Sequence, residues 1–205
     1  MKTILIFGLC RTGKSTFSRM IQEKYKNYQI IEVDTIISAL QKTVENVPIG
    51  FIHDNLEENK LPQFLNLLIQ KNIQKNHNEL GLIVNGDSIM PEDLVKYFNL
   101  ENTKVYYFVH PELSTEEIVK RCRKYDNNNE WTTRRSDEQL IKHMNFYKEI
   151  EKKIIEQCKK YHNQFYNKHY DIWNRSDNTI RNISRITGQP SHQIARVILC
   201  NTHPV

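Results

Sequence analysis

The sequence contains no long apolar run and no closely spaced pair of cysteines. No stretch of about 18 apolar residues occurs in the 205 residues, so no segment is predicted to span a membrane. The four cysteines, Cys10, Cys122, Cys158 and Cys200, are far apart and form no CxxC pair. This spacing argues against a zinc site or a disulfide framework and predicts reduced thiols in a cytoplasmic protein.

Glycine and arginine are also scarce. With six glycines in the chain, a glycine at a motif position is more informative than in a glycine-rich sequence. No arginine lies between Arg19 and Arg121. Because arginine binds phosphate in bidentate geometry, this gap argues against a monophosphate clamp in the first half of the chain, where Lys42 or Lys60 would act only as point charges. The net charge of +5 suits anionic ligands but does not by itself indicate nucleic acid.

Short apolar segments alternate with longer helical patterns along the chain. The apolar segments are nearly continuous, as expected of parallel strands covered on both faces. The alternation predicts an α/β fold: a three-layer sandwich with a five-stranded, mostly parallel sheet and helices on both faces. The predicted strands are residues 3–7, 29–33, 81–84, 104–110 and 169–173.

Two helices are marked by capping boxes, at Ser114 with Glu117 and at Ser136 with Gln139. The second box opens a long helix with apolar residues at spacings of three, four and seven. That apolar stripe comprises Leu140, Met144, Tyr147, Ile154, Cys158 and Tyr161.

The chain is predicted to form one domain over residues 1–187. A helical region at about 35–78 is expected to bind the substrate, and the polar, asparagine-rich stretch at about 125–137 is expected to act as a lid. Residues 188–205 are predicted to form a C-terminal tail with one short helix and a frayed end.

A phosphate-binding loop is predicted by Gly8, Gly13, Lys14 and Ser15, which complete the pattern G-x-x-x-x-G-K-[ST]. The pattern follows an apolar strand and precedes a helix, as the mechanism requires. Backbone N–H groups and the positive helix end would surround the phosphates. Lys14 would neutralise the β- and γ-phosphates, and the Ser15 hydroxyl would coordinate Mg²⁺. A nucleotide with Mg²⁺ is therefore the expected ligand of the loop, and the kinase resemblance described below makes that nucleotide ATP.

The remaining loop residues are expected to contact the nucleotide as well. These residues are Cys10, Arg11, Thr12 and Thr16. Since Cys10 precedes the positive end of a helix, its thiolate is expected to be favoured and to react with alkylating agents unless ATP protects it.

The loop, the sheet pattern and the segment RCRKY…WTTRRSDEQL together resemble the P-loop kinases of small molecules. This group includes the adenylate, shikimate and nucleoside kinases, and the resemblance covers about residues 2–187. It implies arginines that clamp the transferring phosphates on either side of a lid. Arg121 matches the first position, and Arg134 or Arg135 the second. A further arginine usual in adenylate kinases is missing from the following helix.

The resemblance also assigns carboxylates at the ends of two strands. Asp34 follows the second strand, where it would accept the acceptor's proton or hold Mg²⁺ through water; a helix N-cap is the alternative. In the third strand Asn85 replaces the usual aspartate, so Asp87 or Asp34 would supply the metal-binding charge. Gly86 would let the substrate approach the backbone. Arg175, after the last strand, would stack on adenine.

The function implied is an ATP-dependent kinase for an acceptor hydroxyl on a nucleoside, sugar or small acid. A nucleoside monophosphate is less favoured because the arginines are missing. A kinase for a nucleic-acid end is one alternative, suggested by the basic C-terminal residues Arg175, Arg181, Arg185 and Arg196. A non-catalytic ATP-binding switch is the other, suggested by Asn85. No guanine-reading N-K-x-D pattern occurs, which disfavours GTP.

Overall fold

The fold is an α/β arrangement built on four parallel strands. The computed structural model describes residues 3–54, 56–75, 80–126, 128, 130–166 and 196–199. The parallel strands stand in the order β2-β3-β1-β4, so the first strand lies inside the sheet. They are β1 (Thr3–Gly8), β2 (Tyr28–Glu32), β3 (Gly81–Asn85) and β4 (Thr103–Val109).

Six α-helices connect and cover these strands in the part of the chain that the structure describes. A 3₁₀ turn, Trp131–Arg134, lies between the last two helices. The helices are α1 (Lys14–Lys24), α2 (Val33–Thr43), α3 (Leu61–Lys75), α4 (Pro91–Tyr97), α5 (Thr115–Tyr125) and α6 (Asp137–Tyr166). None of these is long and apolar enough to cross a membrane.

Alternate side chains of β1 are buried on opposite faces of the sheet. Ile4 and Ile6 face a small cluster that includes Phe17 and Ile21 of α1. Leu5 and its face of the sheet belong to the larger core, to which the other five helices contribute. Helices therefore cover both faces of the sheet, which explains why its strands are apolar at nearly every position.

Both predicted capping boxes are confirmed. At the start of α5 the Ser114 hydroxyl accepts a hydrogen bond from the Glu117 N–H, and the Glu117 carboxylate accepts one from the Ser114 N–H. Ser136 and Gln139 exchange the same pair of bonds before α6. The stripe on α6 is buried from Leu140 to Cys158, which fixes this long helix against the core.

The C-terminal tail differs from its prediction at four residues. Residues Arg196–Leu199 form a short strand, β5, that pairs antiparallel with the outer edge of β4, where a helix was predicted. The β-branched residues Val197 and Ile198 favour a strand when an edge is available for pairing. The predicted strand at 169–173 lies outside the described residues and stays a prediction.

Of the glycines that the structure describes, Gly8 is the one whose replacement should damage the fold most. Its φ is +126°, and a Cβ there would lie 2.1 Å from the Phe108 carbonyl oxygen on β4. We expect Gly8→Ala to lower the free energy of unfolding by about 3 kcal/mol, because strain and a backbone clash add. Urea unfolding of the whole chain measures this change.

Gly13→Ala is the matched control for that measurement. Gly13 also has a positive φ, +91°, but a Cβ there would meet nothing within 4 Å. Its alanine variant should therefore lose only about 1–2 kcal/mol. Equal losses in the two variants would contradict the explanation by close contact with β4.

Candidate active site

The phosphate loop connects the carboxyl end of β1 directly to α1. Gly13 is the N-cap of the helix and leaves its first N–H groups open toward the loop. Lys14 is buried, and its Nζ donates to the Leu9 carbonyl at 2.5 Å. The Thr12 hydroxyl donates to the same carbonyl at 2.7 Å. The loop is thus already folded around a cation and a positive helix end, as an anion site requires.

A cleft of about 820 Å³ opens above this loop. It lies at the carboxyl ends of β1 and β3, where parallel sheets bind ligands. Most of the predicted site residues line it: Cys10, Arg11, Thr12, Gly13, Lys14, Ser15, Thr16, Asp34, Asp87 and Arg121. Gly8, Gly86, Arg134 and Arg135 do not line it, and Arg175 lies outside the described residues.

Asp34 lies in the first turn of α2, on the wall of the cleft. The N-cap of that helix is Glu32, so the alternative role of Asp34 as N-cap is wrong. Asp34 is exposed as a residue, but the packing of cleft side chains around its carboxylate, together with the nearby charge of Asp87, raises the pKa of Asp34 to about 7. Lys14 and a hydrogen bond from the Asp87 N–H oppose this rise. A carboxylate with this pKa is suited to general-base work near neutral pH.

The Asp87 carboxylate is fixed in place by hydrogen bonds from two neighbouring side chains. Its carboxylate accepts hydrogen bonds from the Ser88 hydroxyl at 2.7 Å and from the Tyr147 hydroxyl at 3.1 Å. Both donors are buried, and Asp87 is 8% exposed. The arrangement fixes a negative charge beside Asp34, and a metal-binding role for Asp87 stays a prediction.

Asn85 connects the phosphate loop to a carboxylate that the sequence interpretation missed. Its Nδ2 donates to the Ser15 hydroxyl at 3.2 Å and to the Glu32 carboxylate at 2.9 Å. Its Oδ1 is buried and has no hydrogen-bond partner among the described residues. An unpaired oxygen of this kind is costly unless a ligand or water binds it. Ser15, Asn85 and Glu32 therefore form a set of oxygen ligands that fits a hydrated Mg²⁺ beside bound phosphates.

The glycine after Asn85 is explained by packing inside the protein. A Cβ on Gly86 would lie 2.7 Å from the Cβ of Val33 and 3.3 Å from Oδ1 of Asp34. The start of α2 already occupies that space. Close approach of a substrate to Gly86 stays a prediction, but the structure accounts for the glycine without one.

The arginines around the predicted lid have separate surroundings. Arg121 on α5 lines the cleft, and its binding of the transferring phosphates stays a prediction. Arg123, two residues on, anchors the connection between α5 and α6: it donates to the Thr132 carbonyl at 2.9 Å, and its Nη2 lies 2.7 Å from Oδ1 of Asp137. Arg134 is exposed, while Arg135 lies 5.2 Å from the ring centre of Trp131. Phosphate binding by Arg134 or Arg135 stays a prediction.

Arg11 joins the phosphate loop to that same connection. Its Nη2 lies 2.9 Å from Oδ2 of Asp126 and 3.0 Å from Oε2 of Glu130. Its carbonyl contacts the His110 ring at 2.9 Å, and burial lowers the pKa of that histidine to about 4. The neutral His110 ring therefore contacts the backbone of the phosphate loop. The Arg11 guanidinium is paired with Asp126 and Glu130 of the predicted lid segment.

Cys10 corrects the prediction of a reactive thiolate. Its thiol donates to the Met144 sulfur at 3.7 Å, and burial raises the pKa of the thiol to about 12. The charge of Lys14 lowers the pKa, but burial outweighs it. The thiol thus faces the core helix α6, and it is protonated at neutral pH.

Comparison with known proteins yields distant structural likenesses. No protein-family model and no curated protein match the sequence. A chain in a structure of the Pnkp1/Rnl/Hen1 RNA repair complex is 21% identical with a TM-score of 0.39, covering 72% of this chain and 45% of that one. A chain in a second structure of this complex is 20% identical with a TM-score of 0.40, covering 66% of this chain and 43% of that one. The chain thus spans less than half the length of either.

A deoxyadenosine kinase from M. mycoides, solved with the products dCMP and dCDP, is 17% identical with a TM-score of 0.37. That likeness covers 78% of this chain and 84% of the kinase. Likenesses of this size assign neither a family nor a function. The site has to be interpreted from its own residues.

Proposed function

We propose that the protein is an ATP-dependent kinase that transfers the γ-phosphoryl group to an acceptor hydroxyl on a nucleoside, sugar or small acid. One observation carries the proposal: a single cleft is lined both by the phosphate loop from Cys10 to Thr16 and by Asp34, which lies beside the second carboxylate, that of Asp87, and whose pKa is raised by the packing around it and by that charge. A nucleotide-binding switch needs the first feature but has no use for the second. A kinase uses both.

The proposed reaction divides the chemistry between the two sides of the cleft. Asp34 accepts the proton of the acceptor hydroxyl as that oxygen bonds to the γ-phosphorus. The bond between the γ-phosphorus and the β,γ-bridging oxygen breaks, and ADP leaves. Lys14 and Arg121 stabilise the charge on the phosphoryl oxygens throughout. Closure of the segment between α5 and α6 would exclude water and prevent hydrolysis.

The oxygen ligands at Asn85 provide the place for the metal. Ser15 and Glu32 would hold Mg²⁺, and the ion would neutralise the β- and γ-phosphates while water supplies most of its remaining ligands. The switch alternative was suggested by the absence of a carboxylate at position 85. The Glu32 carboxylate, which accepts a hydrogen bond from Asn85, supplies a negative charge at that place. The main argument for a switch therefore no longer applies.

Glu32→Gln is expected to increase the Mg²⁺ concentration that gives half-maximal activity by about tenfold, because a charged contact to hydrated metal is lost. The glutamine side chain keeps an oxygen that can accept the hydrogen bond from Asn85, so the fold should persist. Mg²⁺ titration of ADP release measures the change, with the exposed Glu45→Gln as control. An unchanged requirement would show that Glu32 does not serve the metal.

The proposal as a whole is tested by ADP release from Mg·ATP with separate acceptor pools. The pools are nucleosides, sugars, small hydroxy acids, nucleoside monophosphates and RNA with a 5′-hydroxyl end. We expect release to depend on one of the hydroxyl pools. Turnover with monophosphates would overturn the argument from the missing arginines, and turnover with the RNA alone would establish the nucleic-acid alternative.

A further inference from the structure

Four partly exposed aromatic side chains meet beside the cleft, although they come from three separate segments. We call them the aromatic patch: Phe51, His53, Trp131 and His143. Phe51 and His53 are stacked, with ring centres 5.3 Å apart and planes only 7° from parallel. His143 stands edge-on to His53 at 5.3 Å and to Trp131 at 4.8 Å. All four remain partly accessible to solvent.

The aromatic patch is continuous with the proposed catalytic groups. Trp131 lines the same cleft as Asp34 and Asp87. On its other side, His143 lies 4.8 Å from the ring of Tyr147, whose hydroxyl donates to Asp87. One buried side chain therefore separates the patch from the two carboxylates. An acceptor that places its hydroxyl at Asp34 could therefore extend the rest of its structure onto the patch.

The patch contains one ring that is neutral at pH 7 and one polar atom that has no hydrogen-bond partner among the described residues. Burial lowers the pKa of His143 to about 4, with the charges of His53 and Arg135 contributing, so its ring is neutral at pH 7. Nδ1 of His53 is buried and has no hydrogen-bond partner among the described residues. Flat rings with one free polar atom suit a planar heteroaromatic ligand better than a small acid or a sugar, whose several hydroxyls need several polar partners.

We propose that the acceptor carries a nucleobase that stacks on the aromatic patch while the hydroxyl of its sugar reaches Asp34. The inference rests on the proposed function and narrows its acceptor to a nucleoside. Free nucleosides and the nucleoside at the end of a nucleic acid share this chemistry. The absence of arginine from residues 20–120 agrees with an acceptor that brings no phosphate of its own to this wall.

The test measures binding as well as turnover, using the whole chain. Each of the four ribonucleosides, ribose, a small hydroxy acid and a short 5′-hydroxyl oligoribonucleotide is titrated against protein with and without Mg·ATP. We expect Phe51→Leu and Trp131→Leu to weaken nucleoside binding about tenfold each and to leave ATP affinity unchanged. Tyr25→Leu, which alters an exposed ring at the C-cap of α1, is the matched control and should change neither.

The outcomes separate this inference from the proposed function. Turnover of ribose or the hydroxy acid in preference to nucleosides would uphold the kinase and overturn the stacking proposal. If no acceptor is turned over, nucleoside binding that is lost in Phe51→Leu would still support the patch, while the kinase proposal would fail. An effect of Trp131→Leu without one from Phe51→Leu would mean that the patch only seats the lid segment, which overturns the inference. The free nucleosides and the oligonucleotide distinguish the two sources of the base.

Discussion

Lys14→Ala is expected to lower the rate of phosphoryl transfer at saturating ATP by a factor of about 10²–10³. Lys14 is the buried cation of the phosphate loop, and its Nζ now binds the Leu9 carbonyl, which a phosphate oxygen would replace. Removing one preorganised donor to the charge that develops in a transition state costs about this much. Single-turnover transfer with labelled ATP measures the loss directly.

Two controls make the result specific to that ammonium group. Lys152→Ala removes a lysine that is 66% exposed on α6 and pairs with Glu149, and it should keep full activity. Lys14→Met retains the length of the side chain and should fail like the alanine variant. Full activity in either Lys14 variant would show that the loop does not bind the transferring phosphate.

Asp34→Asn should lower the rate by a factor of about 10²–10⁴, the range expected for loss of a general base. The wild-type kcat/KM for the acceptor should rise with pH and level off above about pH 7, because only the ionised carboxylate can accept the proton. The pKa of about 7 sets this midpoint. The pH profile of the residual activity in Asp34→Asn should lack this limb.

Asp87→Asn distinguishes a general-base role of Asp34 from a structural one, because only a general base would shift the pH profile. The negative charge of Asp87 raises the pKa of Asp34, so its removal should lower that pKa and shift the acidic limb toward lower pH. Glu45→Gln, which changes an exposed carboxylate outside the cleft, should leave the limb in place. A limb that stays at the same pH in Asp87→Asn would mean that another group titrates.

The phosphate loop could be predicted from sequence because its chemistry is contained in consecutive residues. The glycine positions, the lysine and the adjoining strand and helix all lie between Thr3 and Lys24, so no distant contact is needed. The capping boxes of α5 and α6 were predictable for the same reason. Local patterns of this kind determine local backbone geometry.

The carboxylate of Glu32 was missed because β2 passes into α2 without a turn. The strand ends at Glu32 and the helix begins at Val33, so no glycine, proline or polar loop marks the boundary. The predicted strand therefore ran one residue too far and directed attention to Asp34 alone. The alternation E-V-D was the available signal, since it places two carboxylates near one strand end.

The surroundings of Arg121 and Arg123 could not be distinguished in the sequence. Two residues apart on one helix, they point to different sides, and which side faces the cleft depends on how α5 packs. The aromatic patch depends even more on tertiary structure. Its rings come from the segment before α3, from the 3₁₀ turn and from α6, and no spacing in the sequence connects them.

The most direct test of the central claim follows the γ-phosphoryl group itself. Wild-type protein and Lys14→Ala are incubated with γ-labelled Mg·ATP and each ribonucleoside, and the labelled products are separated. We expect one acid-stable nucleoside monophosphate, formed in equal amount to ADP and absent with Lys14→Ala. Label that appears only as inorganic phosphate, at a rate indifferent to every ribonucleoside, would contradict the claim that this cleft transfers phosphate to the hydroxyl of a nucleoside.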